Sequence, residues 1–147
     1  MNSLLIAAIG SHQDGDELAW QLLEHAQQTD FALPGWHLEW RCIEHPAVDL
    51  LPALREAQVA CVLDVLPQAT QPVQALSPAM LAQHQGVTSS HVLSVAEALA
   101  LGESLGLLPS RLLVLGLQPD QPVQRLLEEM RDLLQTSLGP GRAKAMY

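Results

Sequence analysis

Asp16, Asp64 and His91 are the side chains of this 147-residue chain whose types and places could do chemistry together. Asp64 closes the apolar run Val59-Ala-Cys-Val-Leu-Asp64, with Pro67 three residues further on. Asp16 follows a first apolar run, Leu4 to Ile9, and His91 follows Thr88-Ser-Ser at the start of a helical pattern. Two carboxylates and one imidazole can hold a first-row divalent ion such as zinc or nickel and leave coordination positions open. Each residue also has a plain structural reading. Asp16 falls in the first turn of a helix, where the dipole favours a carboxylate. Asp64 can accept backbone hydrogen bonds in the turn at Pro67, and a lone histidine such as His91 can be structural, although a helix start gives a protonated imidazole no help. Spacing alone leaves both readings open. Other catalytic patterns are missing: the chain has no GxSxG elbow, no Walker loop, no GxGxxG and no HExxH. A triad built from Ser89, Ser90 and His91 fails because sequence neighbours rarely face one another productively.

The elements that must position these residues follow from the hydrophobic pattern. Val59 to Asp64 is short, apolar and without alternation, which fits a strand buried on both faces of a parallel sheet. Leu4–Ile9 and Arg111–Gly116 have the same look. Trp36–Ile43 alternates, as a strand with one more exposed face does. Gln71–Leu76 contains a proline and suits an antiparallel sheet edge. Between them lie helical patterns. The first carries Leu18, Leu22, Leu23 and Ala26, with Asp14 as its N-cap and Glu17 completing a capping box. The second runs from Val48 to Ala57, and the third, capped by Ser89 or Ser90, carries Val92, Val95, Ala96, Leu99 and Leu101 and stops at Gly106. The fourth opens at Pro119 or Asp120 and runs through Leu134. This alternation predicts an α/β fold of three layers, a mostly parallel twisted sheet of about five strands with helices on both faces. Residues 1–138 then form one domain, and 139–147 a flexible tail without core pattern. In open sheets of this kind ligands bind beyond the carboxyl ends of the strands, which is where Asp64 stands.

Composition narrows the function classes. The formal charge is −9, with seven Lys plus Arg against sixteen Asp plus Glu. That argues against a nucleic-acid or anionic-membrane partner, since both need basic surface. Only 3% of residues are aromatic while 48% are hydrophobic, so Leu, Ala and Val must build the core. Cys42 and Cys61 lie inside predicted strands, outside any metal-ligand cluster, and are expected to be small buried hydrophobes. The N-terminal apolar run has no basic flank and is too short to span a bilayer, so the expectation is a cytoplasmic protein without membrane insertion.

Taken together, Ile9-Gly-Ser-His-Gln-Asp-Gly-Asp-Glu-Leu-Ala-Trp20, Val62-Leu-Asp64, Thr88-Ser-Ser-His-Val-Leu-Ser-Val-Ala-Glu-Ala-Leu99 and Leu107-Leu-Pro-Ser-Arg-Leu-Leu-Val-Leu-Gly-Leu-Gln-Pro119 resemble the hydrogenase maturation proteases. The likeness runs from Leu4 to about Leu134. The resemblance implies an endopeptidase that removes the C-terminal extension of a nickel–iron hydrogenase large-subunit precursor after nickel insertion, recognising the bound metal. It further implies that Asp16, Asp64 and His91 engage that nickel, which the substrate precursor supplies, and that zinc or cadmium can occupy the site in vitro. Asp16 and Asp64 would be the catalytic carboxylates, whether hydrolysis is metal-assisted or of the aspartyl-protease kind. Glu17 is the second choice for the first acidic ligand. Family members place apolar residues two, four, six and seven positions after it. Counting from Asp16 gives Leu18, Trp20, Leu22 and Leu23, whereas counting from Glu17 gives Ala19, Gln21, Leu23 and Glu24. The chain departs from the pattern at Ser11, where many members have Asn, and at Gly15 and Ala19, where paired acids and a glycine are usual. The implied partner is the large-subunit precursor, met by a monomer. A non-catalytic homologue acting as an assembly chaperone, and an unrelated flavodoxin-like binding domain, are the alternatives.

Overall fold

A computed structural model describes residues 2–11, 17–77 and 90–139, with residues 90–94 described through the backbone only. The elements run β1 (Asn2–Ile9), α1 (Leu18–Gln28), β2 (Trp36–Ile43), α2 (Pro46–Leu54), β3 (Val59–Val65), β4 (Val73–Leu76), α3 (Ser90–Leu105), β5 (Arg111–Leu117) and α4 (Val123–Leu138). They form a sheet of order β2-β1-β3-β5-β4. Every neighbouring pair is parallel except β4 with β5, which is the antiparallel edge the proline at position 72 suggested. The three-layer α/β expectation therefore holds.

Alternation along the strands divides the core. Leu4, Ile6, Ala8, Cys61 and Leu63 face α1 and α4, while Leu5, Ala7, Ile9, Ala60 and Val62 face α2 and α3. The central strands are apolar on both faces because both faces are covered. Burying one such leucine contributes roughly 1.5–3 kcal/mol. From β1 the chain moves outward to β2 through α1, then back past β1 to β3 through α2. Crossovers of one hand, taken in opposite directions, put these two helices on opposite faces. The reversal of strand order falls between β1 and β3.

Several local expectations are corrected. Helix α1 starts at Leu18, so Glu17 is itself the N-cap residue rather than the third helical one, and its side chain makes no capping bond; Asp14, the expected N-cap, lies outside the described residues. Helix α2 begins at Pro46, whose missing N–H is harmless in a first turn, and ends at Leu54 rather than Ala57. Helix α4 begins at Val123 after Pro122, not at Pro119 or Asp120. Val48 and Leu101 are exposed rather than core residues. Cys42 is exposed because β2 is an outer strand, while Cys61 is buried as expected. The loop of residues 78–89, with Ser89, and the tail beyond Gly139 lie outside the described residues. Gly106 does stop α3: at φ +69° it lets its own N–H reach Glu103 O (3.2 Å) and that of Leu107 reach Gly102 O (2.9 Å). These two bonds satisfy the helix's last carbonyls.

At the end of α1 the same closure is made by a residue less suited to it. Asp30 sits at φ 55°, and the Phe31 N–H donates to Ala26 O (2.9 Å). A left-handed aspartate is strained by about 1 kcal/mol, and its charge opposes the negative helix end. Asp30→Gly is expected to raise stability by about 0.5–1 kcal/mol after allowing for glycine's greater unfolded freedom. Denaturant titration should show a higher midpoint at unchanged slope.

The cysteines give a second test. Full burial pushes the Cys61 thiol far above its ordinary value of 9.0, while partial desolvation, then the nearby Glu24 charge, raises that of the more exposed Cys42. A thiol that ionises in the unfolded chain but not in the folded one contributes stability that is whole below pH 9 and lost as pH rises. Above pH 9 the Cys61 contribution should fall by about 1.4 kcal/mol per pH unit. Cys61→Ala should therefore flatten the alkaline limb of a stability–pH profile, and a thiol reagent should label only Cys42 in the folded protein.

Candidate functional site at the carboxyl edge of the sheet

Two polar side chains are buried among the described residues, Ser11 and Asp64, and both belong to the same edge of the sheet. Ser11 follows β1, and Asp64 is the penultimate residue of β3. The register sets Ala8 beside Leu63, so the next residues along the two strands are Ile9 and Asp64. These are the strands between which the order reverses, the place at which open α/β sheets bind their ligands.

Asp64 is 6% exposed. Its Oδ1 accepts the N–H of Val65 at 2.8 Å, so one expected backbone bond exists, made by the next residue within the strand rather than by the turn at Pro67. By alternation with Ala60 and Val62, Asp64 belongs to the face covered by α2 and α3. Helix α3 runs into β5 through a short loop, and β5 begins at Arg111, beside Val59 at the opposite edge. Sixteen helical residues span about 24 Å, roughly the length of the strands, so the first turn of α3 returns to the carboxyl edge. His91 is the second residue of that helix. Of the three sequence candidates, then, Asp64 is described in full and His91 through its backbone, both toward one edge and one face. Asp16 lies outside the described residues, and its neighbour Glu17, partly buried, precedes α1 at the same edge. Among the described residues no three His, Cys, Asp or Glu side chains gather as a metal site.

The described segments at this edge are braced by backbone and amide hydrogen bonds. The N–H of Gly10 donates to Ile43 O (3.0 Å), and the indole of Trp20 donates to Ala8 O (3.0 Å), holding α1 against the end of β1. After β3, the N–H of Leu66 donates to Leu117 O (2.9 Å) and that of Gln118 to Pro72 O (2.9 Å). The Gln118 side chain also donates to Ala69 O (2.8 Å) and accepts from Gln121 (2.8 Å). The loops after β3 and β5 are thereby tied together. Sequence reasoning gave Gln118 no role and treated Ser11 only as a departure from a pattern. Nothing local distinguishes Gln118, since its partners Ala69 and Pro72 lie more than forty residues away in the chain.

A cavity of about 640 Å³ opens at the opposite edge, where Asn2, Val59 and Arg111 begin or adjoin their strands. Its charged lining mixes Glu39 and Glu56 with Arg41 and Arg111. Size does not make it the better candidate. Asp64 lies at the other end of its strand, where the order of the strands reverses and sheets of this kind bind ligands.

Comparison with known proteins places this arrangement. No family model matches the chain, and no curated protein matches it. Solved structures do. An endopeptidase from Escherichia coli is 19% identical with a TM-score of 0.70, over 96% of each chain. The hydrogenase maturating endopeptidase HybD from E. coli is 17% identical with a TM-score of 0.65, over 93% of this chain and 94% of its own. A nickel–iron hydrogenase maturation protease, HycI from Thermococcus kodakarensis, is 15% identical with a TM-score of 0.55, over 93% of this chain and 92% of its own. Identities this low speak for architecture: the chain has the fold of the hydrogenase maturation endopeptidases along nearly its whole length.

Proposed function

We propose that this chain is a cytoplasmic, monomeric endopeptidase that removes the C-terminal extension of a nickel–iron hydrogenase large-subunit precursor once nickel has been inserted. The observation that carries the reading is the buried Asp64 carboxylate at the strand reversal, in a fold shared with maturation endopeptidases. A buried carboxylate at the edge where such sheets bind their ligands suits contact with a cation or a polar substrate group. In this reading the nickel belongs to the substrate. Asp16, Asp64 and His91 engage it, two hard oxygen ligands and an imidazole suiting a divalent first-row ion, with Glu17 second choice for the first acid. Zinc or cadmium would stand in for it in vitro.

Asp64 and Asp16 hold the precursor's metal centre so that the scissile peptide lies beside a carboxylate. That carboxylate takes a proton from water, the resulting hydroxide adds to the carbonyl carbon, and the peptide C–N bond breaks as the proton passes to the leaving amine. The nickel, when present, supplies polarisation of the carbonyl and of the water. Hydrogen bonding of Oδ1 to the Val65 amide fixes the Asp64 carboxylate before substrate arrives. No helix among the described residues is long and apolar enough to cross a membrane.

Nickel-loaded precursor incubated with the purified chain should lose mass at its C-terminus, and precursor without nickel should not. Asp64→Asn should slow the cleavage by about 10²-fold or more while the protein stays folded. Asp16→Asn and His91→Ala should do likewise, and Glu17→Gln should leave the rate near that of the wild type. A precursor of unchanged mass, or full activity in Asp64→Asn, would sink the reading.

A further inference from the structure

We propose that Gly116 is a positioning residue for the Asp64 carboxylate, acting through Leu66 and the Val65 amide. The inference deepens the function just proposed and rests on it for its metal-binding consequence. Gly116 is the register partner of Asp64 across β3 and β5. A Cβ at Gly116 would stand 2.9 Å from both Cβ and Cδ2 of Leu66. Cδ2 is the end of a flexible side chain, but Cβ is fixed to the backbone and can move only if the main chain moves. Leu66 has little room to do so. It is 1% exposed, and its N–H is bound to Leu117 O, the residue after Gly116, at 2.9 Å.

The bare backbone of Gly116 thus lets Leu66 fold across β5 immediately after Asp64. The Val65–Leu66 peptide is held by that packing, and Val65 supplies the N–H that Asp64 Oδ1 accepts at 2.8 Å. A methyl group at position 116 would press Leu66 outward, turn the Val65 backbone and change the direction in which the carboxylate is held. A lone glycine inside an apolar strand signals close approach of other atoms. Here the approaching atoms belong to the residue that orders the site.

The test uses the full chain and two readouts. The first is the backbone amide resonance of Val65, and the second is zinc affinity by calorimetry. Gly116→Ala is expected to move the Val65 amide upfield, as the bond to Oδ1 lengthens. It should also weaken zinc binding by about 10-fold or more, the usual effect of losing a group that orients a metal ligand. Leu134→Ala, a cavity in the core of the opposite face, controls for lost stability and should leave both readouts at wild-type values. Should Gly116→Ala fail to fold, Leu66→Ile conserves volume while adding a branch at the crowded Cβ, and it should move both readouts in the same direction. An unmoved Val65 amide in the folded variant overturns the proposal, as does a moved amide with wild-type zinc affinity. If zinc fails to bind even the wild type, the metal-binding reading of the site falls, and the Val65 resonance alone then decides the positioning role.

Discussion

Keeping a carboxylate inside a protein is the constraint around which this structure is arranged. Removing such a group from water costs several kcal/mol unless hydrogen bonds or an opposite charge compensate. The Val65 amide supplies part of the compensation to Asp64. The sheet supplies more by its direction. Helices α1 and α3 both start near the carboxyl edge, α3 on the face to which Asp64 belongs and α1 on the other, so the positive ends of both are turned toward that edge. Neither helix has an acidic residue in its first turn, and the side chain of Glu17 leaves the start of α1 uncapped. On the Asp64 face the field of α3 therefore meets no acid of that helix's own first turn.

How much of this was legible in the sequence depends on what each inference required. The run Val59 to Asp64 could be read directly, because a strand covered on both faces has no polar face to confuse the pattern. The edge strand β4 announced itself through Pro72, and the end of α3 through Gly106. Periodicity failed where it had to say which side of a helix is covered. Val48 and Leu101 fit an apolar stripe yet face outward, since the pattern identifies a face but not its neighbour. Cys42 was misjudged for a related reason: alternation along β2 is compatible with an inner or an outer strand, and only pairing decides. Helix starts were placed wrongly at Asp14 and at Pro119–Asp120, because capping types recur in loops and geometry selects among them.

The candidate site was legible in outline for a simpler reason. The chain order strand–acid, helix, strand–acid, histidine–helix already sends Asp64 and the start of α3 to one edge once the strands are parallel. What the sequence held back was the support behind the carboxylate. Gly116 is visible as a break in an apolar run, but Leu66, fifty residues earlier, supplies the atoms that a side chain there would meet first. Ser11 and Gln118 are unremarkable in their own neighbourhoods, and their importance lies in bonds and burial made across the fold.

The bracing pattern also explains why the two long edges of the sheet differ. At the amino edge the lining of the cavity is charged in both signs, and Arg111 donates to Ser137 O (2.6 Å), tying the start of β5 to the end of α4. Those groups lie open to solvent, so that edge can be polar at little cost. The carboxyl edge instead buries its polar groups and locks the loops after β3 and β5 by main-chain and glutamine amide bonds. In the proposed reading, tied loops after β3 and β5 suit an acid that must meet an ion already seated in another protein, since the acid then need not swing to find it. The ordering cost is met when the chain folds, so binding need not meet it again.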